Sequence, residues 1–347
     1  MILHVFDNEF TYRGRVESFI SMTWTEEYKG EGKFTLVTYD TDKYAEILRH
    51  GWFFYRQDRP CAMMAVKVER DTETNTITVC GYTALHMLTR RIIDVAHECT
   101  NVEEGIYEVI NDNLRGLTQV VTAENKGLEA ECELEIEGTG LLDGVMELLE
   151  ESEYGIRARF DYENKHHVIE VYEGADRTYN SDSGGTVFSQ EFGNLSHLVV
   201  TEDDDLYKNV AYVTGCASNS SDPIYYQYVA DYAGDEENWR EMLVDGENQE
   251  EDESRDAWQK RLKQIAKDAL KERKNALTFE VTMPPEDFGK KYDLGDKVTC
   301  KSKRYGLQFD TRITEYELEY KAGVETVTLT IGDKPLDFVR GAIIKHG

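Results

Sequence analysis

Gly51-Trp52-Phe53-Phe54-Tyr55, then Met64-Ala65-Val66-Lys67-Val68-Glu69, then Thr76-Ile77-Thr78-Val79-Cys80-Gly81 read as three strands bounded by glycines. The same plan recurs far downstream. There, Gly295-Asp296-Lys297-Val298-Thr299 is followed by Thr311-Arg312-Ile313-Thr314-Glu315-Tyr316 and by Val327-Thr328-Leu329-Thr330-Ile331-Gly332. In each copy a glycine opens a strand, a hairpin of alternating residues follows, and a glycine closes the unit. A β-barrel unit duplicated within one chain lets three chains present six similar units around a ring. No other part of the sequence offers comparably definite chemistry.

The chain has 347 residues, enough for two to four domains with cores of their own. With 40% hydrophobic residues and 21 tyrosines it is expected to fold rather than stay disordered. No 18-residue apolar run is present, so no membrane-spanning helix is expected. Met1-Ile2-Leu3-His4-Val5-Phe6-Asp7 lacks the cationic and apolar segments of a signal peptide and reads as a first strand. Six cysteines stand at 61, 80, 99, 132, 216 and 300 without paired spacing. They are expected to be reduced, largely buried thiols rather than disulfides or zinc ligands, since metal sites need paired spacing, and this fits assembly in a cytoplasm.

The net charge is −29, from 39 basic and 68 acidic residues, and it is uneven. Residues 1–92 hold 12 basic and 13 acidic groups, and 278–347 hold 11 and 12, whereas 93–186 hold 6 and 23. Such a chain is not a binder of nucleic-acid backbone, which requires clustered lysine and arginine. The acidic middle serves solubility or repels passing polyanions.

Residues 16–25 and 32–39 alternate as strands about a turn at Gly30-Glu31-Gly32. A short helix follows at 40–48, capped by Asp40 or Thr41 and ended near Gly51. The period then changes. Residues 101–117 place Val102, Ile106, Val109, Ile110 and Leu114 at helical spacing, and Thr100 or Asn101 can cap them. Residues 131–137 alternate as a strand with carboxylates outside, 139–151 form a second helix, and 155–161 with 167–172 make a hairpin. Residues 235–256 hold eleven acids against Arg240 and Arg255, which predicts a solvent-facing loop. The helix predicted over 256–276 carries a stripe of Trp258, Leu262, Ile265, Ala269 and Leu270.

Enzyme signals are weak. Asp182-Ser183-Gly184-Gly185 and Ala96-His97-Glu98-Cys99 echo serine-protease segments, but Ser181 stands where the oxyanion geometry needs a glycine. Paired carboxylates for glycoside hydrolysis are everywhere and none is singled out. His166 and His167, adjacent on a strand, point to opposite faces and do not share a metal. Asp203-Asp204-Asp205 lacks the rest of a calcium loop, and no phosphate-binding glycine motif occurs. Catalytic, cofactor and metal residues are therefore expected to be absent. The feature with functional content is a row of Glu315, Glu317 and Glu319, read as sharing a face with Ile313. If that barrel lines a channel, the row is a candidate lumen-facing surface whose charge keeps DNA from sticking.

Several segments, weak singly but in register, resemble the tail hub, or tail-associated, structural proteins at the tip of long-tailed phages. They are residues 3–6, 32–36, 51–55 and Arg90-Arg91-Ile92-Ile93, then 187–195 and 207–215, Trp239-Arg240-Glu241, and Tyr292-Asp293-Leu294-Gly295-Asp296-Lys297-Val298. The resemblance runs from about residue 1 to 335. It implies an α+β, mainly β chain with two tail-tube-like β-barrels, at 1–92 and at 187–215 joined with 278–347. Between them lie an acidic α+β domain (93–186) and a small insertion (216–277) with an acidic loop and an amphipathic helix. It further implies a homotrimer forming a pseudo-six-fold ring in the virion tail tip. The partners it implies are the distal tail or tail tube protein, the C-terminal end of the tape-measure protein, a tip fibre or receptor-binding protein, and DNA that passes without specific binding. No cofactor is implied. Larger relatives carry C-terminal digestive domains, whereas this chain stops at Gly347, so hydrolase activity is not carried over. The alternatives are a tail-associated peptidoglycan hydrolase and a carbohydrate-binding tip protein.

Overall fold

The computed structural model describes residues 1–181, 185–194, 197–218, 220, 222–251, 253–271, 273, 276–283 and 287–332. The chain is mainly β, as the sequence predicts. It forms two compact units. The larger comprises Met1–Leu198 with Phe279–Ile331, and the smaller contains Val199–Thr278.

The larger unit opens with β1 (Leu3–Phe6), β2 (Tyr12–Val16), β3 (Ser21–Glu27) and β4 (Lys33–Tyr39), followed by β5 (Phe53–Tyr55), β6 (Ala62–Asp71) and β7 (Thr76–Thr83). They hydrogen-bond in the order β3-β4-β7-β6-β5-β1-β2, every pair antiparallel. The short helix α1 (Asp42–Ile47) starts where the Thr41 hydroxyl accepts the Tyr44 N–H at 3.3 Å, one of the two caps expected.

Downstream, Lys297–Ser302, Leu307–Lys321 and Val324–Gly332 form a second antiparallel meander. Its hydrogen bonds reproduce those of β5-β6-β7. The Gly51 N–H donates to the Ala65 carbonyl (2.8 Å), and the Ala65 N–H donates to the Trp52 carbonyl (2.9 Å). The Gly295 N–H donates to the Ile313 carbonyl (2.9 Å), and the Ile313 N–H donates to the Asp296 carbonyl (2.9 Å). Both glycines sit at positive φ, 77° and 90°, where a side chain is strained. One residue later each long strand bulges, at Val66 and at Thr314.

This register makes Ala65 the counterpart of Ile313. The sequence pattern pairs Val66 with Ile313 instead, one place off. The bulge also splits the predicted face. Ile313 is buried together with Tyr316 and Leu318, on the side away from the glutamates. Gly81, read as a closing glycine, lies inside β7 opposite Ala65, and the strand continues to Thr83. A Cβ at Gly81 would stand 2.0 Å from the Met64 carbonyl oxygen, so close strand approach explains it.

The acidic segment packs α2 (Val102–Asn113) and α3 (Leu141–Glu150) together. The Asn101 side chain caps α2 by accepting the Glu104 N–H at 3.1 Å. The hairpin of Gly155–Asp161 and His166–Tyr172 forms as predicted. Its inner side chains share one core with Phe6 and Phe53 of the first strands.

In the smaller unit, α4 (Arg255–Lys271) buries Trp258, Leu262, Ala266 and Leu270 against Val210–Cys216 and its neighbours. The strand Val210–Cys216, expected within the second barrel, is instead the centre of this sheet. It lies between Pro223–Val229 and the parallel strand Glu241–Asp245. Glu241–Asp245 falls in the stretch read as a loop. Met242 and Val244 pack inward there, a two-residue alternation hidden among eleven acids.

Candidate functional site

Beyond the Thr314 bulge, Glu315, Glu317 and Glu319 pair with Thr330, Thr328 and Thr326 on one side. On the other side they pair with Glu27, Thr25 and Thr23 of β3. Residues directly opposite share a sheet face, so the row continues through Lys33 and Thr35 of β4 to Tyr82 and Cys80 of β7. The result is a face of carboxylates and hydroxyls on which Lys33, Lys67 and Lys321 also stand. The other face of these strands buries Trp24, Phe34, Leu36, Tyr316 and Leu318. Amphipathic alternation therefore produces one polar wall and one core from a single sheet.

Burial raises the Glu317 carboxyl above its ordinary range, and the charges of Glu315 and Glu319 raise it further. The Thr25 hydroxyl donates to it at 3.5 Å. The three predicted residues thus stand together as a row, although Ile313 does not join them.

The sheet positions this wall through one junction. β3 pairs with residues 315–321, so the N-terminal strands and the C-terminal meander are joined edge to edge within the larger unit. Arg59, buried, fastens that junction. Its Nε and Nη2 each donate to a Glu26 oxygen at 2.9 Å, and its Nη1 donates to Asp293 at 2.9 Å. The guanidinium lies over the rings of Phe288 (4.7 Å) and Tyr316 (5.0 Å). The Trp24 indole N–H donates to Glu26 as well, at 2.8 Å. Burial works to raise the Glu26 carboxyl, but the Arg59 charge and hydrogen bonds outweigh it and hold the group below its ordinary range. Sequence reasoning missed this cluster because its partners come from three distant segments. The only local signal was two arginines in the turn Arg56-Gln57-Asp58-Arg59-Pro60 between apolar strands.

His97, considered only as a protease histidine, approaches Glu108 and Asp112 of α2, and their ligand atoms lie within 4.8 Å of one another. These three could hold a metal ion, although two are exposed carboxylates. Asp182, Ser183 and Gly184 lie outside the described residues. The two adjacent histidines face opposite ways, as expected. His166 stands 3.8 Å from Asp161, and His167 is fully buried among the rings of Phe10, Phe53 and Phe160. None of the six cysteines is in a disulfide.

Three solved structures share the fold over nearly their whole length. The tail protein from Neisseria meningitidis aligns at a TM-score of 0.60 and 11% identity, covering 96% of each chain. The 43 kDa tail protein of prophage MuSo2 from Shewanella oneidensis aligns at 0.62 and 11%, covering 95% of this chain and 98% of that one. Prophage tail protein gp18 from Listeria monocytogenes aligns at 0.56 and 13%, covering 99% and 97%. At such identities the likeness is one of fold. No curated protein matches the chain. The family model described as Siphovirus ReqiPepy6 Gp37-like protein matches residues 2–102 and 118–333, nearly the entire described sequence. The chain belongs to the family of Siphovirus ReqiPepy6 Gp37-like proteins, and its fold is that of phage tail proteins.

Proposed function

We propose that this protein is a structural tail hub: three copies close a pseudo-six-fold ring that joins the tail tube, or the distal tail ring, to the tail tip and encloses the DNA channel. The observation that carries the reading is the pair of meanders with matched hydrogen bonds and matched bulges, joined edge to edge in one sheet. A chain holding two equivalent modules side by side converts three-fold symmetry into six near-equivalent positions.

In this reading Glu315, Glu317 and Glu319, with the threonines beside them, line the channel, where like charge lets DNA slide without binding. The partners are other copies of the chain, the tube or distal tail protein, the end of the tape-measure protein, and a tip fibre or receptor-binding protein. The role is positional, with no chemical step assigned to the chain. A conformational change at the ring on host contact would open the path.

Light-scattering mass with negative-stain imaging tests the ring. The expected outcome is a particle of three times the 39.9 kDa chain with a central hole. A monomer at every concentration would overturn the proposal. Zymography on host cell walls tests the absence of a chemical step, and clearing lost by one acidic substitution would replace this reading with a hydrolase.

A further inference from the structure

One face of the strand His97–Asn101 lies against α2. The strand pairs antiparallel with Glu131–Ile136, and its alternate residues His97 and Cys99 share a side. Cys99 is buried over Gly105, where an added Cβ would stand 2.9 Å from both the Cβ and the Sγ of Cys99. The missing side chain at Gly105 is what lets the strand come so close. Gly105, Glu108 and Asp112 follow at spacings of three and four, so they form one stripe along the helix. His97, two residues before Cys99, therefore stands beside Glu108 and Asp112. One nitrogen of its ring and one oxygen of each carboxylate lie within 4.8 Å of one another.

The protein does not balance the charge of this group. Glu108 and Asp112 stand four residues apart on one helix, a repulsive spacing for like charges. They occupy its later turns, where the negative end of the helix dipole disfavours carboxylates, and its last turn holds no basic residue. No lysine or arginine stands between Arg91 and Arg115 in the sequence. Those two are engaged elsewhere: the Arg91 Nε donates to the Leu114 carbonyl at 2.9 Å, and Arg115 pairs with Asp94 at 3.1 Å. Among the described residues neither Glu108 nor Asp112 forms an ion pair with a base.

We propose that His97, Glu108 and Asp112 bind a first-row divalent cation, with Zn²⁺ as its representative, which braces the later turns of α2 against the strand. One imidazole and two carboxylates suit such an ion better than Ca²⁺ or Mg²⁺, which take oxygen ligands. Three protein ligands leave a further position for water. The ion offsets carboxylate charge within a segment, 93–186, that holds 23 acids and 6 bases. Its role is structural. The site is independent of the ring reading, because all three ligands come from one short stretch of one chain.

The full chain, stripped with EDTA, is titrated with Zn²⁺ in a calorimeter and melted with and without the ion. It is compared with His97→Ala, Glu108→Gln and Asp112→Asn, and with His166→Ala as a control histidine outside the group. The parent and the control should take up a single equivalent, and each ligand variant should bind about tenfold more weakly or worse, since a direct metal bond is lost. Without metal, Glu108→Gln should melt at or above the parent, because the like-charge pair is gone. With Zn²⁺ the order should reverse, a crossing that a merely structural residue would not give. Glu108 and Asp112 are exposed, so their amide variants carry the test if His97→Ala does not fold. Equal Zn²⁺ affinity in every chain would place the ion elsewhere, and no uptake by the parent would leave the three residues without one. Equally tight binding of Ca²⁺ would remove the role of the imidazole. Each of these results overturns the proposal and leaves the ring, which light scattering decides, untouched.

Discussion

At the scale of single residues, burial decides which charges are costly. His167 is fully enclosed, neither ring nitrogen has a partner, and burial pushes its pKa down to about 3. The folded state thus holds this histidine neutral, while the unfolded chain takes up a proton near pH 6.5. The group's contribution is therefore intact above that value and is lost as pH falls toward 3. Between pH 7 and pH 5 the loss is roughly 2 kcal/mol by linkage. Urea unfolding of His167→Phe across this range should show a shallower acid decline than the parent, and an identical decline would contradict the assignment. Arg59 is the opposite case, a buried charge with every partner in place. Replacing Glu26 by Gln strands part of that guanidinium and should cost about 3–5 kcal/mol, read from the urea midpoint. Adding Arg59→Met to it should recover part of the loss, since the buried charge left unpaired by the first change is then removed.

At the scale of elements, the two matched glycines separate strain from space. Alanine at either must adopt positive φ, at a cost of about 1–2 kcal/mol. Around Gly51 nothing lies within 4 Å of an added Cβ, whereas at Gly295 it would meet the Tyr28 ring at 2.3 Å. Gly295→Ala should accordingly lower the melting temperature several degrees further than Gly51→Ala. Equal effects would mean that the ring simply moves aside. Elements with local punctuation were legible in the sequence: α1 and α2 begin at the named caps Thr41 and Asn101, and the alternation of 155–161 and 167–172 gave their hairpin. The Thr314 bulge was not, because one inserted residue changes the pairing of everything after it without changing composition. Glu241–Asp245 was obscured by charge, since acids on the wet side of a short strand look like a loop. The Arg59 cluster was invisible for a third reason: its ligands are brought together by strand pairing over more than 200 residues.

At the scale of the whole molecule, the carboxylate row of the proposed ring would keep DNA from binding. Converting Glu315, Glu317 and Glu319 together to lysine should turn a non-binding particle into one retained on immobilised duplex DNA at low salt. Retention should fall steeply as salt rises, because released counterions drive it. Retention of the unaltered protein would argue against a repelling channel. The carboxylate row was legible because a strand's period of two groups such residues whatever the fold. Its threonine companions were not, because cross-strand register between residues 23–27 and 315–319 is written nowhere locally.

The pairing of β3 with residues 315–321 spans almost 300 positions of the chain. A ribosome adding about 5–20 residues per second exposes β3 for roughly 15–60 s before its partner exists. Through that interval the nascent N-terminal half presents an unsatisfied strand edge to its surroundings. Chaperone capture and temperature during synthesis, more than the equilibrium stability of the finished molecule, would then govern how much folded protein accumulates.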